Sequence, residues 1–212
     1  MKSLDLKENT EVKDKILQAA TDLFWRYGIR SITMDEIARE VAVSKKTIYQ
    51  YFKDKNEIVC LVMERKHQKQ MKEMSKLESS SENAIDALLK VSDFMAKSFS
   101  KLTPSLLLDT KKYHPEAWEI HQSRRDSILN SIKRNIHWGI KDGLYRKDLP
   151  IEYLAILRME QVELAFDARK FSNEEYDLVK VQLAFLDHFI RGLVTLQGFQ
   201  LLEMYKNQKH HD

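Results

Sequence analysis

The fold of this chain is decided by residues 43–55, which read Val43-Ser-Lys-Lys-Thr-Ile-Tyr-Gln-Tyr-Phe-Lys-Asp-Lys55. Ser44 is a favourable N-cap residue, so a helix is predicted to begin at the next position. Ile48 and Phe52 are four residues apart and therefore lie on one face of that helix, where they can pack inward. The opposite face carries side chains that no core requires, namely Lys45, Lys46, Tyr49 and Gln50. The stretch predicts a short helix with an apolar inner face and a basic outer face.

Two further helices are predicted on the N-terminal side of this stretch. Apolar residues recur at helical spacing from about Glu11 to Tyr27, and Gly28 follows in the position of a left-handed C-terminal cap. Thr33-Met-Asp-Glu36 has the pattern of a capping box, so a second helix starts there and ends before Ala42. Three short helices with a tight turn between the second and the third form the sequence pattern of a helix-turn-helix.

Positive charge is concentrated in the same region. Between Ser44 and Lys55 the chain has four lysines and one aspartate, although the whole protein has a net charge of only +3. Such a cluster is typical of a surface that binds nucleic-acid phosphates, and it also occurs on ordinary solvated helix faces. DNA binding is favoured here because the cluster lies on the third helix of a helix-turn-helix pattern.

Residues 16–59 resemble the DNA-binding domain of the TetR family of bacterial repressors. The run from Val43 to Lys55 is a specific signature of that family, and His114-Pro115-Glu116 resembles it further along the chain. The matching positions are Ile16, Ala19, Leu23, Phe24, Tyr27, Gly28, Thr33, Ile37, Ala38, Val41, Val43, Ser44, Thr47, Ile48, Tyr49, Tyr51, Phe52, Lys55, Glu57 and Ile58. The resemblance implies an N-terminal DNA-binding domain followed by a helical domain that dimerises and encloses an effector pocket.

The resemblance and the side-chain chemistry together assign the DNA contacts. Lys and Gln side chains hydrogen-bond to base edges, whereas hydroxyl groups and helix N-termini suit phosphates. The predicted contact residues are Thr33, Ser44, Lys45, Lys46, Thr47, Tyr49, Gln50, Tyr51 and Lys55. Thr33 is also expected to cap its helix. For Tyr51, packing in the core and contact with DNA are equally favoured.

Two residues depart from the family pattern. Ala42 stands in the turn where the family usually has glycine. The alanine must therefore adopt a positive φ, at a cost on the order of 1 kcal/mol, or the turn must bend differently. Lys46 also stands where glycine is frequent, and we expect it to add a side-chain contact to DNA.

The rest of the chain is predicted to be helical as well. Only five glycines and three prolines occur in 212 residues, and no glycine lies between Gly28 and Gly139, which argues against the many tight turns of a β protein. The predicted class is all-α with about nine helices. Residues 1–55 form the helix-turn-helix domain, with residues 1–10 as a flexible arm, and residues 56–212 form an effector-binding and dimerisation domain. The later helices are predicted at 54–74, 82–100, 105–113, 115–141, 151–169 and 173–196, with Ser81 and Ser172 as caps of two of them and a further helical stretch to Tyr205.

Two sets of residues are assigned roles in this second domain. The eighth and ninth helices are so apolar that they are either buried in the chain's own core or part of a dimer interface. A dimer is favoured because two-fold DNA readout needs two linked reading heads. The predicted interface consists of Leu154, Leu157, Val162, Leu186, Phe189, Ile190 and Leu193. The predicted lining of an effector pocket is Leu108, Tyr113, Trp118, His121, Ile128, Met159 and Phe166, although each of these also suits ordinary core packing.

Enzymatic and metal-binding functions are not predicted. The sequence has no Gly-rich phosphate loop, nucleophile elbow or His-Glu metal helix, its histidines lack ligand spacing, and no cofactor is expected. The N-terminus is too polar for a signal peptide, and no apolar run is long enough for a transmembrane helix, so a soluble cytoplasmic protein is predicted.

The function predicted from the sequence is a homodimeric repressor that binds double-stranded operator DNA and is released by a small, largely apolar effector. Two alternatives remain open. One is a DNA-binding regulator without small-molecule control, either an activator or a protein controlled by a partner. The other is a helical protein-interaction module whose basic helix meets an acidic partner.

Overall fold

A computed structural model shows that the protein is built from helices. It describes residues 2–99, 105–165, 167, 170–171 and 175–209, and their side chains in 9–98, 109–120, 122–165, 167, 170–171 and 175–208. Within these ranges the helices are α1 (Lys2–Tyr27), α2 (Met34–Glu40), α3 (Lys45–Tyr51), α4 (Lys55–Ser79), α5 (Ala84–Phe99), α6 (Ser105–Tyr113), α7 (Pro115–Lys141), α8 (Ile151–Leu164), α9 (Leu178–Leu193) and α10 (Leu196–Lys209). The all-α prediction is confirmed.

Several helix ends differ from those predicted. Helix α1 begins at Lys2 rather than at about Glu11, and residues 2–10, predicted as a flexible arm, contain no glycine or proline that would end a helix. Helix α5 is capped by Asn83 and not by Ser81, because the Asn83 side-chain oxygen accepts from the amides of Ile85 at 3.1 Å and Asp86 at 3.0 Å. The Ser81 hydroxyl donates instead to a carbonyl of the preceding helix.

Helices α8 and α9 are both shorter than predicted. Helix α8 ends at Leu164, and α9 begins at Leu178 rather than at residue 173. The cap of α9 is Asp177, whose carboxylate accepts from the amides of Val179 at 2.8 Å and Lys180 at 3.1 Å. Ser172, the predicted cap, lies outside the described residues.

The described residues form two compact units. One lies within residues 1–70 and 101–123, and the other lies within residues 71–100 and 124–212. Helices α4 and α7 each contribute to both units. A division at residue 55, as predicted for the two functional domains, does not coincide with these units, because α6 and the first turns of α7 belong with the first helices.

The first unit has its core where α1, α2, α3 and the start of α4 meet. The apolar stripe predicted on α1 is buried at Ile16, Leu17, Ala20 and Phe24, while Tyr27 at the end of the helix is exposed. Ile48 and Phe52 are both buried against this stripe, as predicted from their spacing. The core therefore fixes which face of α3 points inward.

The second unit is organised around α5, α9 and the segment that follows α7. Helix α9 packs against α5 and α8, and α10 packs against α5. Tyr145 is completely buried. The residues before and after Tyr145 connect the segment that follows α7 to the junction of α9 and α10. The Arg146 amide donates to the carbonyl of Leu193, and the Thr195 amide donates to the carbonyl of Leu144, both at 2.9 Å. No helix in the described ranges is long and apolar enough to cross a lipid bilayer.

The turn between α2 and α3 contains a non-glycine residue with positive φ. Ala42 has a φ of 55°, whereas Gly28, which ends α1 as predicted, has a φ of 82°. The amide of Val43 donates to Ala38 at 3.0 Å, and that of Ala42 donates to Arg39 at 3.2 Å. These two bonds form a Schellman motif, which requires a left-handed residue at this position. Ala42 therefore carries the strain that a glycine would avoid.

Replacing Ala42 by Gly is expected to stabilise the protein by about 0.5–1 kcal/mol, because glycine adopts positive φ without a Cβ clash. Urea unfolding followed by circular dichroism measures the change. The matched control is Ala165→Gly, at a residue with a φ of −63°. That variant should be destabilised, and equal destabilisation of both variants would contradict the strain at Ala42.

Candidate nucleic-acid interface

The N-terminus of α3 presents two hydroxyl groups. The Ser44 side chain caps the helix by accepting from the Thr47 amide at 3.0 Å, as predicted. The hydroxyl oxygens of Ser44 and Thr47 lie 2.8 Å apart, and either can be the donor. Because the pair has two hydroxyl protons and shares one hydrogen bond, one proton remains for an external acceptor such as a phosphate oxygen.

The outer face of α3 is polar and open to solvent. Lys46, Tyr49 and Gln50 are all exposed, and 49% of Tyr49 is accessible. Lys46 has no ion-pair partner among the side chains that the structure describes. Tyr51 is half-buried and packs against the core of the first unit, so it contributes to the core. Its DNA contact remains a prediction.

Lys45 has a partner that the sequence did not indicate. Its ammonium group lies 2.8 Å from a carboxylate oxygen of Asp35 on α2, and both side chains are about half-exposed. The hydrogen bond to Asp35 raises the pKa of Lys45. Exposed ion pairs contribute little to stability, so Lys45 can exchange Asp35 for a DNA group at small cost.

Thr33 forms the complete capping box that the sequence predicts. Its hydroxyl accepts from the Glu36 amide at 3.2 Å, and its own amide donates to the Glu36 carboxylate at 2.6 Å. The hydroxyl also donates to that carboxylate at 2.9 Å. These bonds lower the pKa of Glu36. The hydroxyl proton of Thr33 is therefore already used, and a phosphate contact through it requires release of Glu36.

Lys55 points into the protein rather than away from it. Its ammonium group donates to the carbonyl of Ile29 at 2.6 Å, and burial lowers the pKa of Lys55. Asp54 caps α4 by accepting from the Glu57 amide at 2.9 Å. The Glu57 carboxylate accepts from the amide of Lys53, one residue earlier than in a capping box. Lys55 thus connects the start of α4 to the turn after α1.

A polar network joins this region to the junction of α6 and α7. The side-chain amide of Asn56 donates to Glu116 at 2.6 Å, and the Asn56 oxygen lies 2.9 Å from Nδ1 of His114. Because that oxygen is an acceptor, Nδ1 of His114 must be the donor. The Arg30 guanidinium lies 5.5 Å from the centre of the Tyr113 ring. The residues that sequence reasoning missed here are Asn56, Glu116 and Arg30, and the only signal was the His114-Pro115-Glu116 stretch.

The His114 network predicts a loss of stability in acid. Burial, together with the charge of Lys55, lowers the pKa of His114 in the folded state below its usual 6.5. The unfolded chain then binds a proton more readily, so stability falls as the pH drops below about 6.5 and until the lowered pKa is passed.

Replacing His114 by Gln removes this titration and leaves a donor for Asn56. We expect the melting temperature of the wild type to fall more between pH 8 and pH 5 than that of His114→Gln. Parallel pH dependence in the two proteins would contradict a neutral His114 in the network.

The residues predicted to line an effector pocket have different environments. Tyr113 is exposed, Trp118 is half-buried beside the ammonium group of Lys111, Ile128 is half-buried and Met159 is buried. The side chains of Leu108 and His121 and all of Phe166 lie outside the described part of the chain. A common pocket for this set remains a prediction.

The residues predicted to form a dimer interface are mostly internal. Leu186, Phe189, Ile190 and Leu193 are at most 4% exposed and belong to the core of the second unit. The reason is that this stripe of α9 packs on α5 within the same chain. Leu154 and Val162 are half-buried, whereas 49% of Leu157 is exposed. The alternative of an internal core is therefore correct for the α9 set.

Comparisons with known proteins agree with this arrangement. The family profile described as "Bacterial regulatory proteins, tetR family" matches residues 16–60. The HTH-type transcriptional regulator YhgD of Bacillus subtilis (strain 168) is 31% identical over 163 residues, which cover 74% of this chain and 84% of YhgD.

Two solved structures share the fold over most of the chain. A transcriptional regulator from Cytophaga hutchinsonii has a TM-score of 0.72 at 22% identity. The alignment covers 85% of this chain and 97% of the Cytophaga protein. A transcriptional regulator from Saccharomonospora viridis in complex with choline has a TM-score of 0.75 at 17% identity. The alignment covers 88% of this chain and 99% of the Saccharomonospora protein. The family match over residues 16–60 and the 31% identity to YhgD, an HTH-type transcriptional regulator, show that the chain is a DNA-binding transcriptional regulator and belongs to the TetR family of bacterial regulatory proteins.

Proposed function

We propose that this regulator is a homodimeric repressor whose α3 helices read an operator and whose second unit binds a small-molecule effector. The observation that carries the DNA-reading part is the outer face of α3, where Lys46, Tyr49 and Gln50 are exposed while Ile48 is completely buried. A recognition helix held in this way can enter a major groove without disturbing its own core. Lys46 and Gln50 then meet base edges or phosphates, and Ser44 and Thr47 meet the backbone.

The proposed DNA-binding surface includes all the residues predicted from the sequence, but some of them contact DNA and others hold the surface in place. Lys45 joins the DNA after leaving Asp35, and Tyr51 contributes through its exposed part. Thr33 and Lys55 support the surface, because one holds the start of α2 and the other holds the turn after α1.

The proposed dimer uses the outer face of α8. Tyr153, Ile156 and Leu157 lie three and four residues apart on one face, with exposures of 76%, 46% and 49%. Ala155 and Met159 on the other face are buried in the chain's own core. An apolar stripe on both faces of a helix is typical of a helix covered by its own chain on one side and by a partner on the other.

Replacing Ile156 by Glu is expected to convert the dimer into a monomer, because a desolvated carboxylate in each copy would oppose association. Sedimentation velocity measures the mass in solution. Leu196→Glu, at an apolar residue of α10 that is 76% exposed, is the control and should leave the dimer intact. A wild-type protein that sediments as a monomer would contradict the proposed interface.

Effector control is proposed to act through the first unit's own polar network. The junction of α6 and α7 contacts the start of α4 through His114 and Glu116, and α7 continues into residues of the second unit. An effector that prefers one position of α7 lowers DNA affinity by its differential affinity for the two states. Small-molecule control is also supported by the choline complex of the Saccharomonospora viridis regulator, which shares the fold.

Fluorescence anisotropy tests the proposal. The purified protein is titrated into a labelled fragment of its own upstream region and into a scrambled fragment, at two salt concentrations. Tighter binding to the native fragment, weakening steeply with salt, is expected for sequence-specific DNA binding. Absence of DNA binding at low salt would contradict the proposal and favour the protein-interaction alternative.

A further inference from the structure

Arg158 is a buried cation that has no counter-charge among the side chains that the structure describes. It lies on the inner face of α8, is only 8% exposed, and its Nη1 atom is inaccessible to solvent and lacks a hydrogen-bond partner. Its contact among the described side chains is with the ring of Phe189, whose centre is 5.9 Å from the guanidinium carbon. A guanidinium has five N–H donors, and the two on Nη1 are buried here without an acceptor, since an aromatic face does not replace a hydrogen bond.

The carboxylates of the neighbouring helices are engaged elsewhere. Glu160 and Glu163 of α8 pair with Arg125, and Glu152 pairs with Lys133. On α9, Asp187 pairs with both Arg191 and Lys206. No described carboxylate of α8 or α9 therefore compensates the burial of Arg158, and desolvation lowers the pKa of Arg158 to about 10.

A second orphaned polar group lies one turn further along α8. The Oε1 atom of Gln161 is also buried without a hydrogen-bond partner. Rotation of the amide by 180° exchanges this acceptor for an NH₂ donor. Gln182 of α9, by contrast, is satisfied, since its amide donates to the carbonyl of Val162 at 2.8 Å. Two unsatisfied groups at positions i and i+3 thus share one face of the helix.

We propose that Arg158 and Gln161 bind the carboxylate of a small apolar acid. This assignment rests on the effector control proposed above and names the chemical class of the effector. The planar guanidinium matches a carboxylate in a two-bond arrangement, and the Gln161 amide supplies a further donor.

The surroundings favour a monoanion with an apolar body. One guanidinium neutralises one negative charge, whereas a phosphate dianion would need a second cation. The side chains beside Arg158 on the inner face of α8 are Ala155 and Met159, both buried, and Phe189 covers the guanidinium from α9. An alkyl chain or an aromatic ring suits these neighbours, and a sugar or a polar amino acid does not.

The test compares acids with neutral analogues of the same shape. Octanoate, decanoate and phenylacetate are added to the full-length protein at millimolar concentrations, beside octanol, decanol and phenylacetamide. We expect at least one acid to raise the melting temperature by roughly 5 °C once its concentration is far above Kd, with little effect of its neutral analogue. Isothermal titration calorimetry then gives the affinity.

The central variant is Arg158→Met, which keeps the length of the side chain and removes the charge. Acid binding should weaken at least tenfold, and the ligand-free melting temperature should rise by roughly 5 °C, because an unpaired buried charge has been removed. Arg158→Lys should keep part of the affinity, since it retains the charge without the planar fork. The matched control is Arg134→Met on α7, where the arginine side chain is 65% exposed, and it should bind acids as the wild type does.

Three results would overturn the inference: no acid of the series binds, neutral analogues bind as well as acids, or Arg158→Met and Arg158→Lys both bind acids unchanged. A lower melting temperature of ligand-free Arg158→Met would also overturn it, because it would identify Arg158 as a structural residue. DNA binding is measured on the same samples by anisotropy. Acid binding without DNA binding would contradict the proposed function but not the acid site at Arg158. DNA binding without acid binding would contradict the acid site but not the DNA-binding function.

Discussion

Alanine in place of Lys46 is expected to weaken operator binding about 30-fold and to make that binding less sensitive to salt. The side chain is exposed on the outer face of α3 and has no ion-pair partner among the described side chains, so the folded protein loses nothing with it. A contact worth about 1 kcal/mol is lost in each subunit of the proposed dimer, and about 2 kcal/mol corresponds to roughly 30-fold. If the contact is to a phosphate, the slope of log K against log salt should become shallower by about 1.8, since two phosphate contacts disappear.

Tyr49→Ala provides a contrasting case on the same face. Its side chain carries no charge, so we expect a similar loss of affinity without a change in the salt slope. The matched controls lie in the second unit: Lys147→Ala, at an exposed lysine, and Tyr176→Ala, at a tyrosine of comparable exposure. Anisotropy titrations at three salt concentrations measure both quantities. Unchanged affinity in Lys46→Ala and Tyr49→Ala would show that α3 does not read the DNA with this face.

Alanine in place of Gly198 is expected to destabilise the second unit by about 3 kcal/mol, which corresponds to a melting temperature roughly 6–12 °C lower. A Cβ atom at Gly198 would overlap with the backbone carbonyl of Leu144 and lie 3.2 Å from Cβ of Val194. The Leu144 carbonyl cannot retreat easily, because it accepts from the Thr195 amide at 2.9 Å. The clash must therefore break a contact between the loop after α7 and the start of α10.

The same substitution at Gly192 should have the opposite effect. A Cβ atom there would meet nothing within 4 Å, and the residue lies inside α9. Alanine is favoured over glycine in a helix by about 1 kcal/mol, so the melting temperature should rise. Differential scanning calorimetry of both variants tests the pair. A Gly198→Ala protein as stable as Gly192→Ala would show that α10 does not approach Leu144 this closely.

Local patterns predicted the helix-turn-helix well because each of its elements is specified by nearby residues. Gly28 ends α1, Thr33 and Ser44 cap α2 and α3, and Ala42 adopts one of the two conformations that its position allows. All of these features depend on backbone groups within a few residues, which the sequence displays directly. The prediction of a cap was wrong where several candidate residues are close together: α5 is capped by Asn83 and not by Ser81.

The sequence by itself determined that this protein is all-α, that residues 16–59 resemble a family DNA-binding domain, and which face of α3 packs inward. The tertiary structure alone decided the partners of the polar side chains. Lys45 meets Asp35 ten residues away, and His114 meets Asn56 across 58 residues. It also decided that Leu186 lies inside the chain, although its pattern suits a dimer interface equally well. The physical reason is that helical spacing shows which residues share a face, whereas the identity of the surface covering that face depends on packing between distant segments.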